Sequence, residues 1–461
     1  MPHGDAILEL QRMLGDVIAT DAGTLAEYAH DKWHASALPE AVALPRSTEE
    51  VAEVLKFADA HGVPVTPRGA GVGYVGGCVP VRGGIVLSLE RMNRILEINP
   101  ADGVAVAQAG VLTADLQDAC EAQGWFYPPD PASRKESSIG GNIATNAGGP
   151  RCLKYGVTRP YVLGLTVVLA DGRILHCGGR THKNKQGFDL VGLFVGSEGM
   201  LGVVTEAVLR IIPAPPARAA LRASFPQFAL CAKAVQDVLQ GGHLPCALEI
   251  TDAFTLAAAR DYLGPTALPA DARGHIIIEI DGQTDAVAAE QRAIADILRA
   301  TGATEIITAS TAEDVEAIWQ LRREFSYSLK ATGLTKLNED IVIPRSRLVE
   351  LVEFCESMQR ETGIPVACFG HSGDGNIHTN IMVLKDARGR DIREPADALV
   401  DRLFQWVVAH GGSITGEHGI GLAKAKWFPQ AVGPVALDLH RTLKDALDPN
   451  HTLNPGKMGL E

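Results

Sequence analysis

Two spacings of hydrophobic residues run through this chain: 3.6 residues, which predicts helix, and two residues, which predicts strand. Residues 5–35 read as polar and helical, and 41–45 as a short strand. Ser47, with Glu50 three places on, forms a capping-box start for a helix through Val51, Val54, Leu55 and Ala58 that Gly62 closes. Strands follow at 63–66, 85–89 and 103–110, a helix at 113–123, and strands at 163–169 and 203–212, with Ala170-Asp171-Gly172-Arg173 as a hairpin turn. Pro213-Ala214-Pro215-Pro216-Ala217 is a stiff linker. Beyond it, strands at 219–225, 248–250, 275–280 and 304–308 alternate with helices at 227–240 and 284–301. Two strand–helix–strand passes predict a ferredoxin-like sheet with one helical face. A helix at 319–331 and a loop entering a strand at 336–344 come next. Strands at 365–369 and 376–384 flank Asp374-Gly375, the dipeptide that most favours a two-residue hairpin turn.

Composition narrows the class. At 461 residues the chain suits about two to four domains, and 46% hydrophobic residues with a mean hydropathy of +0.06 describe a globular protein. A formal charge of −13 and a pI near 5.6 argue against nucleic acid as a partner. No apolar run reaches membrane-spanning length, and Met1-Pro2-His3-Gly4-Asp5 lacks a basic, apolar leader. The expected location is cytoplasmic, including peripheral contact with the inner membrane for electron delivery. The eight cysteines contain no C-x-x-C pair, so they read as buried, reduced thiols rather than cluster or zinc ligands.

Three glycine-rich stretches carry the first candidate chemistry. In Pro67-Arg68-Gly69-Ala70-Gly71-Val72-Gly73-Tyr74-Val75-Gly76-Gly77, the spacing of Gly71, Gly73 and Gly76 matches a dinucleotide fingerprint. That fingerprint must open a helix, and Pro80, Gly83 and Gly84 interrupt any helix here. An NAD site is therefore not expected, whereas successive backbone N–H groups can still cradle a pyrophosphate. The rigid turn Tyr127-Pro128-Pro129-Asp130-Pro131 leads to the second stretch, Ser137 to Gly149. There, small residues alternate with hydroxyls and amides, which suits an isoalloxazine ring and its ribityl–phosphate tail. The third stretch, Gly196 to Gly202, enters the strand beginning at Val203.

The second candidate chemistry lies around Gly370-His371-Ser372-Gly373-Asp374-Gly375-Asn376-Ile377-His378-Thr379-Asn380. A two-residue turn at Asp374-Gly375 would set His371 directly opposite His378, and two facing imidazoles start a metal site. Glu417, on a loop with glycines at 416, 419 and 421, completes a two-His, one-carboxylate set that leaves coordination positions open for substrate. Zinc, manganese and iron all accept such ligands, zinc being the first choice. His418 is free of that set and reads as a base. Asn380 shares the strand face of His378 and would position substrate.

The residues 67–77, 137–149 and 196–204 resemble the FAD-binding domain of the vanillyl-alcohol oxidase/PCMH flavoprotein superfamily. Residues 371–380 and 412–421 resemble the C-terminal domain of its D-lactate dehydrogenase, glycolate oxidase and D-2-hydroxyglutarate dehydrogenase branch. The resemblance implies an α+β chain: a PCMH-type FAD-binding domain over 1–213, a ferredoxin-like antiparallel-sheet cap domain over 214–425, and a C-terminal segment over 426–461 that returns to the FAD domain. It implies cofactor contacts from Pro67, Arg68, Gly69, Ala70, Gly71, Val72, Gly73 and Tyr74, and from Pro129, Asp130, Ser137, Ser138, Gly141, Asn142, Thr145, Asn146 and Gly148. Gly199, Val203, Val204 and Asn454 complete that set. The first loop lacks the histidine that some relatives join to flavin, so non-covalent FAD is expected. An arginine in relatives grips the substrate carboxylate; here it is Arg322 or Arg323. Relatives that take dicarboxylates carry a lysine two residues before the aspartate equivalent to Asp340. Here Asn338 holds that place and the lysine is Lys336, which leans toward lactate- or glycolate-like acids. The implied activity is oxidation of a small D-2-hydroxy acid, with electrons passed to an external quinone, cytochrome or electron-transfer flavoprotein, in a chain that forms a homodimer. A flavin-carrying subunit inactive alone is the alternative. A metal hydrolase leaves the glycine loops without purpose, and an NAD enzyme lacks its helix.

Overall fold

The computed structural model describes residues 3–460; Met1 and Pro2, from the start read above, and Glu461 lie outside them. The chain divides into two compact units. One comprises Met1–Gly149, Gly156–Ala214 and Glu417–Glu461, the other Pro150–Tyr155 and Pro215–Gly416. The boundaries expected from sequence were after 213 and after 425.

In the first unit the helix Thr48–His61 forms where its caps dictate. Ser47 Oγ accepts from the Glu50 N–H at 3.2 Å, and Gly62 closes the helix in the left-handed region. Glu50 reaches back to the Arg46 N–H at 2.6 Å, one residue earlier than a capping box requires. Residues 5–35 are less helical than their polarity predicts. Helix Gly4–Leu14 stops at Gly15, and Asp21 caps only a short second helix, Ala22–Glu27. Among the described residues a four-stranded sheet runs in the order Ile18–Ala19, Ala41–Ala43, Ile85–Ser88, Val65–Arg68, with the last three parallel. An antiparallel five-stranded sheet runs Ile95–Asn99, Val104–Gln108, Val203–Arg210, Val162–Val168, Ile174–Gly178. One core containing Leu55, Leu87, Val168, Val203 and Leu453 joins both sheets. Leu453 belongs to the end of the chain, which pairs with Val65, and the Asn454 N–H donates to Val65 O at 2.7 Å. The buried Lys444 ammonium holds that return, donating to Met200 O at 2.9 Å and Leu453 O at 2.7 Å beside Asp448.

The second unit is built on an antiparallel seven-stranded sheet in the order Glu305–Ala309, Ala217–Phe225, Gly274–Gly282, Ala247–Asp252, Val366–His371, Asn376–Val383, Thr335–Val342. Ala247–Asp252 is buried at every position, so both faces are covered, not one. Helices Ala253–Leu263 and Ala312–Ala331 pack over Ala220, Ile277, Phe369 and Met382. Helices Phe228–Gln240 and Thr284–Ala300 cover the opposite face, where Cys231 abuts Gly274. Helix Ala312–Ala331 starts seven residues before the expected 319 because Thr311 Oγ1 accepts from the Asp314 N–H at 3.2 Å. The stretch read as a loop from 336 is already strand, Thr335–Val342.

The histidine hairpin departs from expectation. His371 pairs with Asn376, and His378 pairs with Phe369. The connection is therefore the four residues Ser372-Gly373-Asp374-Gly375, closed by the Gly375 N–H on His371 O at 3.1 Å with Gly375 at φ 88°. The longer loop wins because it is tied to a neighbouring strand: the Gly373 N–H and Ser372 Oγ both donate to Leu248 O at 3.1 Å. His371 and His378 are consequently diagonal neighbours rather than opposite ones, a spacing still within reach of rings.

Candidate active site

Cross-strand pairing sorts the second unit's polar side chains onto one sheet face. Glu249 pairs with His371, Phe369 with His378, Asp340 with His378, and Asn338 with Asn380. Directly paired residues point the same way, so these groups and Lys336 share a face. Their contacts close a circuit. Glu249 Oε1 bonds His371 Nδ1, and its Oε2 accepts from Arg322 Nε at 2.5 Å. The Arg322 guanidinium lies 4.8 Å from the Phe369 ring centre, Phe369 is 5.9 Å from the His378 ring, and His378 is 5.4 Å edge-on from the His371 ring. Burial pushes the Glu249 carboxyl up, but its partners His371 and Arg322 outweigh it and bring it to about 2.

That circuit separates the two arginines. Arg322 is inside it, whereas Arg323 lies at the surface against Gln320 and Glu316. Lys336 is on the same face, donating to Ser326 Oγ at 3.2 Å; burial, then the nearby Lys330 and Arg322 charges, lowers it to about 8. Asn380 Nδ2 donates to His378 O at 3.0 Å. The Oδ1 atoms of Asn338 and Asn380 are buried without a protein donor, so a ligand's hydroxyl or ammonium would satisfy them. Asp340 accepts from Asn376 Nδ2 at 2.6 Å and from the Gly416 N–H at 2.9 Å. Gly416, the residue before Glu417, is thereby tied to the strand that pairs with His378.

In the first unit the three glycine stretches converge. No helix follows Arg68: residues 69–77 are turns and bends. A Cβ on Gly69 would sit 2.6 Å from Ser138 Oγ, so only glycine lets the first and second loops touch. Ser138 Oγ accepts from the Gly141 N–H, and Asn142 Nδ2 donates to Thr113 Oγ1 at 2.6 Å, which fixes the second loop. Asn146 Oδ1 accepts from the Arg159 N–H at 2.9 Å, and Thr145 Oγ1 donates to Gly141 O at 3.2 Å. Pro129 O accepts from Gln117 Nε2, and Asp130 lies 3.7 Å from Arg134. The Arg68 guanidinium is turned to His30 O and the Tyr28 ring. Val203 and Val204 are buried in their strand.

Glu198, which the sequence reading passed over, joins the third stretch to the His418 loop. Its carboxylate accepts from the Ile420 N–H at 2.7 Å and the Gly421 N–H at 2.8 Å, and its N–H donates to Ala144 O at 2.8 Å. Burial raises its carboxyl above the usual range. The His418 ring lies 5.3 Å from that of Tyr74. Asn454 Nδ2 donates to Gly77 O at 3.0 Å and Glu198 O at 2.8 Å, while Asn454 Oδ1 and Asp31 Oδ2 are buried acceptors with no protein donor. Glycine backbone at close approach and orphaned acceptors beside it fit a cofactor that carries phosphates, hydroxyls and ring N–H groups.

Comparison with known proteins bears on both units. Residues 39–178 match a family described as an FAD binding domain, and 214–458 match the C-terminal domain of FAD linked oxidases. The chain is 40% identical to the glycolate oxidase subunit GlcD of Bacillus subtilis over 91% of this chain and 89% of that protein. It is 34% identical to a D-lactate dehydrogenase of Anaerostipes hadrus, covering 97% and 94%, and 33% identical to a D-2-hydroxyglutarate dehydrogenase of Stutzerimonas stutzeri, covering 96% of each. In fold it is similar to substrate-bound p-cresol methylhydroxylase, with a TM-score of 0.80 at 19% identity over 99% and 96% of the two chains.

Proposed function

This chain belongs to the FAD-linked oxidases, and from that membership we propose that it oxidises a small D-2-hydroxy acid, lactate- or glycolate-like, to the 2-oxo acid. The observation that supports the reading is the Glu249–Arg322–Phe369–His378–His371 circuit, in which a guanidinium and two imidazoles share one sheet face. The glycine cradle would hold FAD non-covalently, and bound FAD would supply the two-electron acceptor for the C2 hydride. His371, His378 and Glu417 would hold a divalent metal, zinc first, which would supply Lewis acidity.

The chain's own residues do the rest. Arg322 grips the carboxylate, since its Nη fork is left to the ligand while Nε is committed to Glu249. Asn380 and Asn338, with their orphaned oxygens on the same sheet face, would bound the acid's position there. Lys336 supplies a second positive charge on that face. His418 takes the hydroxyl proton as C2 loses its hydride, so the C2–H and O–H bonds break and the C=O double bond forms. The electrons then leave to an external acceptor, for which a quinone, a cytochrome or an electron-transfer flavoprotein each fits.

A second reading is that the chain is the flavin-carrying subunit of a complex and is inactive alone. It is favoured by the word "subunit" in the names of the Bacillus subtilis and Escherichia coli relatives. No helix among the described residues is long and apolar enough to cross a membrane. His418→Ala tests the chemistry. The variant should keep its FAD and lose about 10²–10⁴-fold in turnover with an artificial acceptor. Normal turnover would remove His418 as the base.

A further inference from the structure

One buried carboxylate holds both halves of the proposed substrate grip. Glu249, on strand Ala247–Asp252, gives one oxygen to His371 Nδ1 on the adjacent strand and the other to Arg322 Nε on helix Ala312–Ala331. Its side chain is 1% exposed, and those of His371 and Arg322 are 6% and 12% exposed. An ionised carboxylate only accepts, so both neighbours must present N–H to it. That fixes the proton of a neutral His371 on Nδ1 and leaves the ring's lone pair on Nε2, the nitrogen that can ligate. It equally fixes Arg322 with its Nη edge as the part able to fork onto a carboxylate. An unpartnered buried carboxylate would be costly for the fold, and this one has two partners from elements far apart in sequence.

We infer that Glu249 is a positioning residue that couples metal retention to substrate-carboxylate binding, by setting the His371 tautomer and the Arg322 fork together. The inference rests on the reaction proposed above. Glutamine in its place has one accepting oxygen and one donating NH₂. If the NH₂ faces His371, Nδ1 must accept, the proton moves to Nε2 and ligation is lost. If it faces Arg322, two donors meet and the fork swings away.

The test uses full-length, FAD-loaded protein and reads bound zinc or manganese by equilibrium dialysis, alongside flavin content and melting temperature. Glu249→Gln should weaken metal retention about 10–100-fold, and the ¹⁵N shifts of metal-free His371 should move from the Nδ1–H tautomer toward Nε2–H. Because Glu249→Gln strands a buried guanidinium, the double variant E249L/R322M removes the carboxylate and the guanidinium together, leaves His371 Nδ1 without its acceptor and should show the same metal loss. Arg322→Lys should raise KM for the acid while holding metal within about twofold of wild type. Unchanged metal retention and unchanged His371 shifts in both Glu249 variants would overturn the inference, as would equal metal loss in Arg322→Lys. If no 2-hydroxy acid reduces the wild-type flavin yet the Glu249 variants shed metal, the proposed reaction fails and the positioning role stands. If the wild type is reduced and those variants keep their metal, the positioning role fails alone. A wild type that retains neither zinc nor manganese overturns both.

Discussion

The two faces of the seven-stranded sheet are made from the same strands and differ in almost every residue. One carries Leu221, Ile276, Ile278, Ile280, Leu248, Ile250, Ile377, Ile381 and Ile341, all essentially buried. The other carries Glu279, Glu249, His371, His378, Asn380, Asn338, Asp340 and Lys336, and it is also helix-covered. The apolar face is what an antiparallel sheet under helices needs, at roughly 25 cal/mol per Å² of area removed from water. The polar face opposes folding wherever a charge or an amide oxygen lacks a partner. Its acids are paired: Glu249 with His371 and Arg322, and Glu279 with Arg218 and Arg151. Lys336 and the orphaned asparagine oxygens are the places where stability has been given up, and they surround the histidines. The contrast separates what holds this unit together from what it does.

Substitutions on each face should therefore fail differently. The largest stability effect belongs to the apolar face: Ile278→Ala should lose about 2–5 kcal/mol in urea unfolding while substrate-driven bleaching of the folded fraction is unchanged. Lys336→Met acts in the opposite sense. Its ammonium is disfavoured in the folded state, which lowers it to about 8, so removing it should stabilise the protein at pH 7 by up to about 3 kcal/mol. Between about 8 and the ordinary lysine value of 10.5 the unfolded chain holds more protons than the folded one. Wild-type stability should thus gain with rising pH across that window relative to K336M, and the gap between them should close. A gap independent of pH would show that Lys336 is not the strained group. The smallest effect belongs outside both faces: Arg323→Ala should change stability by no more than about 0.5 kcal/mol and leave KM within about twofold.

How much of this could be read from the chain follows the same division. Each strand of the sheet was anticipated at least in part, although the stretch from 336 was read first as loop, and burial on both faces hid the second helical layer. Asp252 illustrates the missed helix Ala253–Leu263: it ends a strand and caps the helix at once, accepting from the Thr255 N–H at 2.9 Å, so no turn residues mark the boundary. The histidines were legible as a pair because Asp-Gly signals a hairpin. Their register was not, since it depends on the bonds from Ser372 and Gly373 to Leu248 on another strand. Arg322 and Arg323 could be told apart only by helix phase against Phe369 and Glu249. Glu249 was overlooked as one polar residue between Leu248 and Ile250; its signal is an acid flanked by apolar residues in a strand buried at every position. The glycine loops were the most legible, because backbone that must pass within a side chain's width of another segment admits little else.

The central proposal is that the FAD-loaded chain oxidises a small D-2-hydroxy acid. Its most direct test is anaerobic titration of the purified protein with D-lactate, glycolate, D-2-hydroxyglutarate and L-lactate, following the visible flavin band. The account predicts bleaching by D-lactate or glycolate and none by L-lactate. A flavin that stays oxidised with every acid while the isolated protein carries full FAD and metal would contradict it.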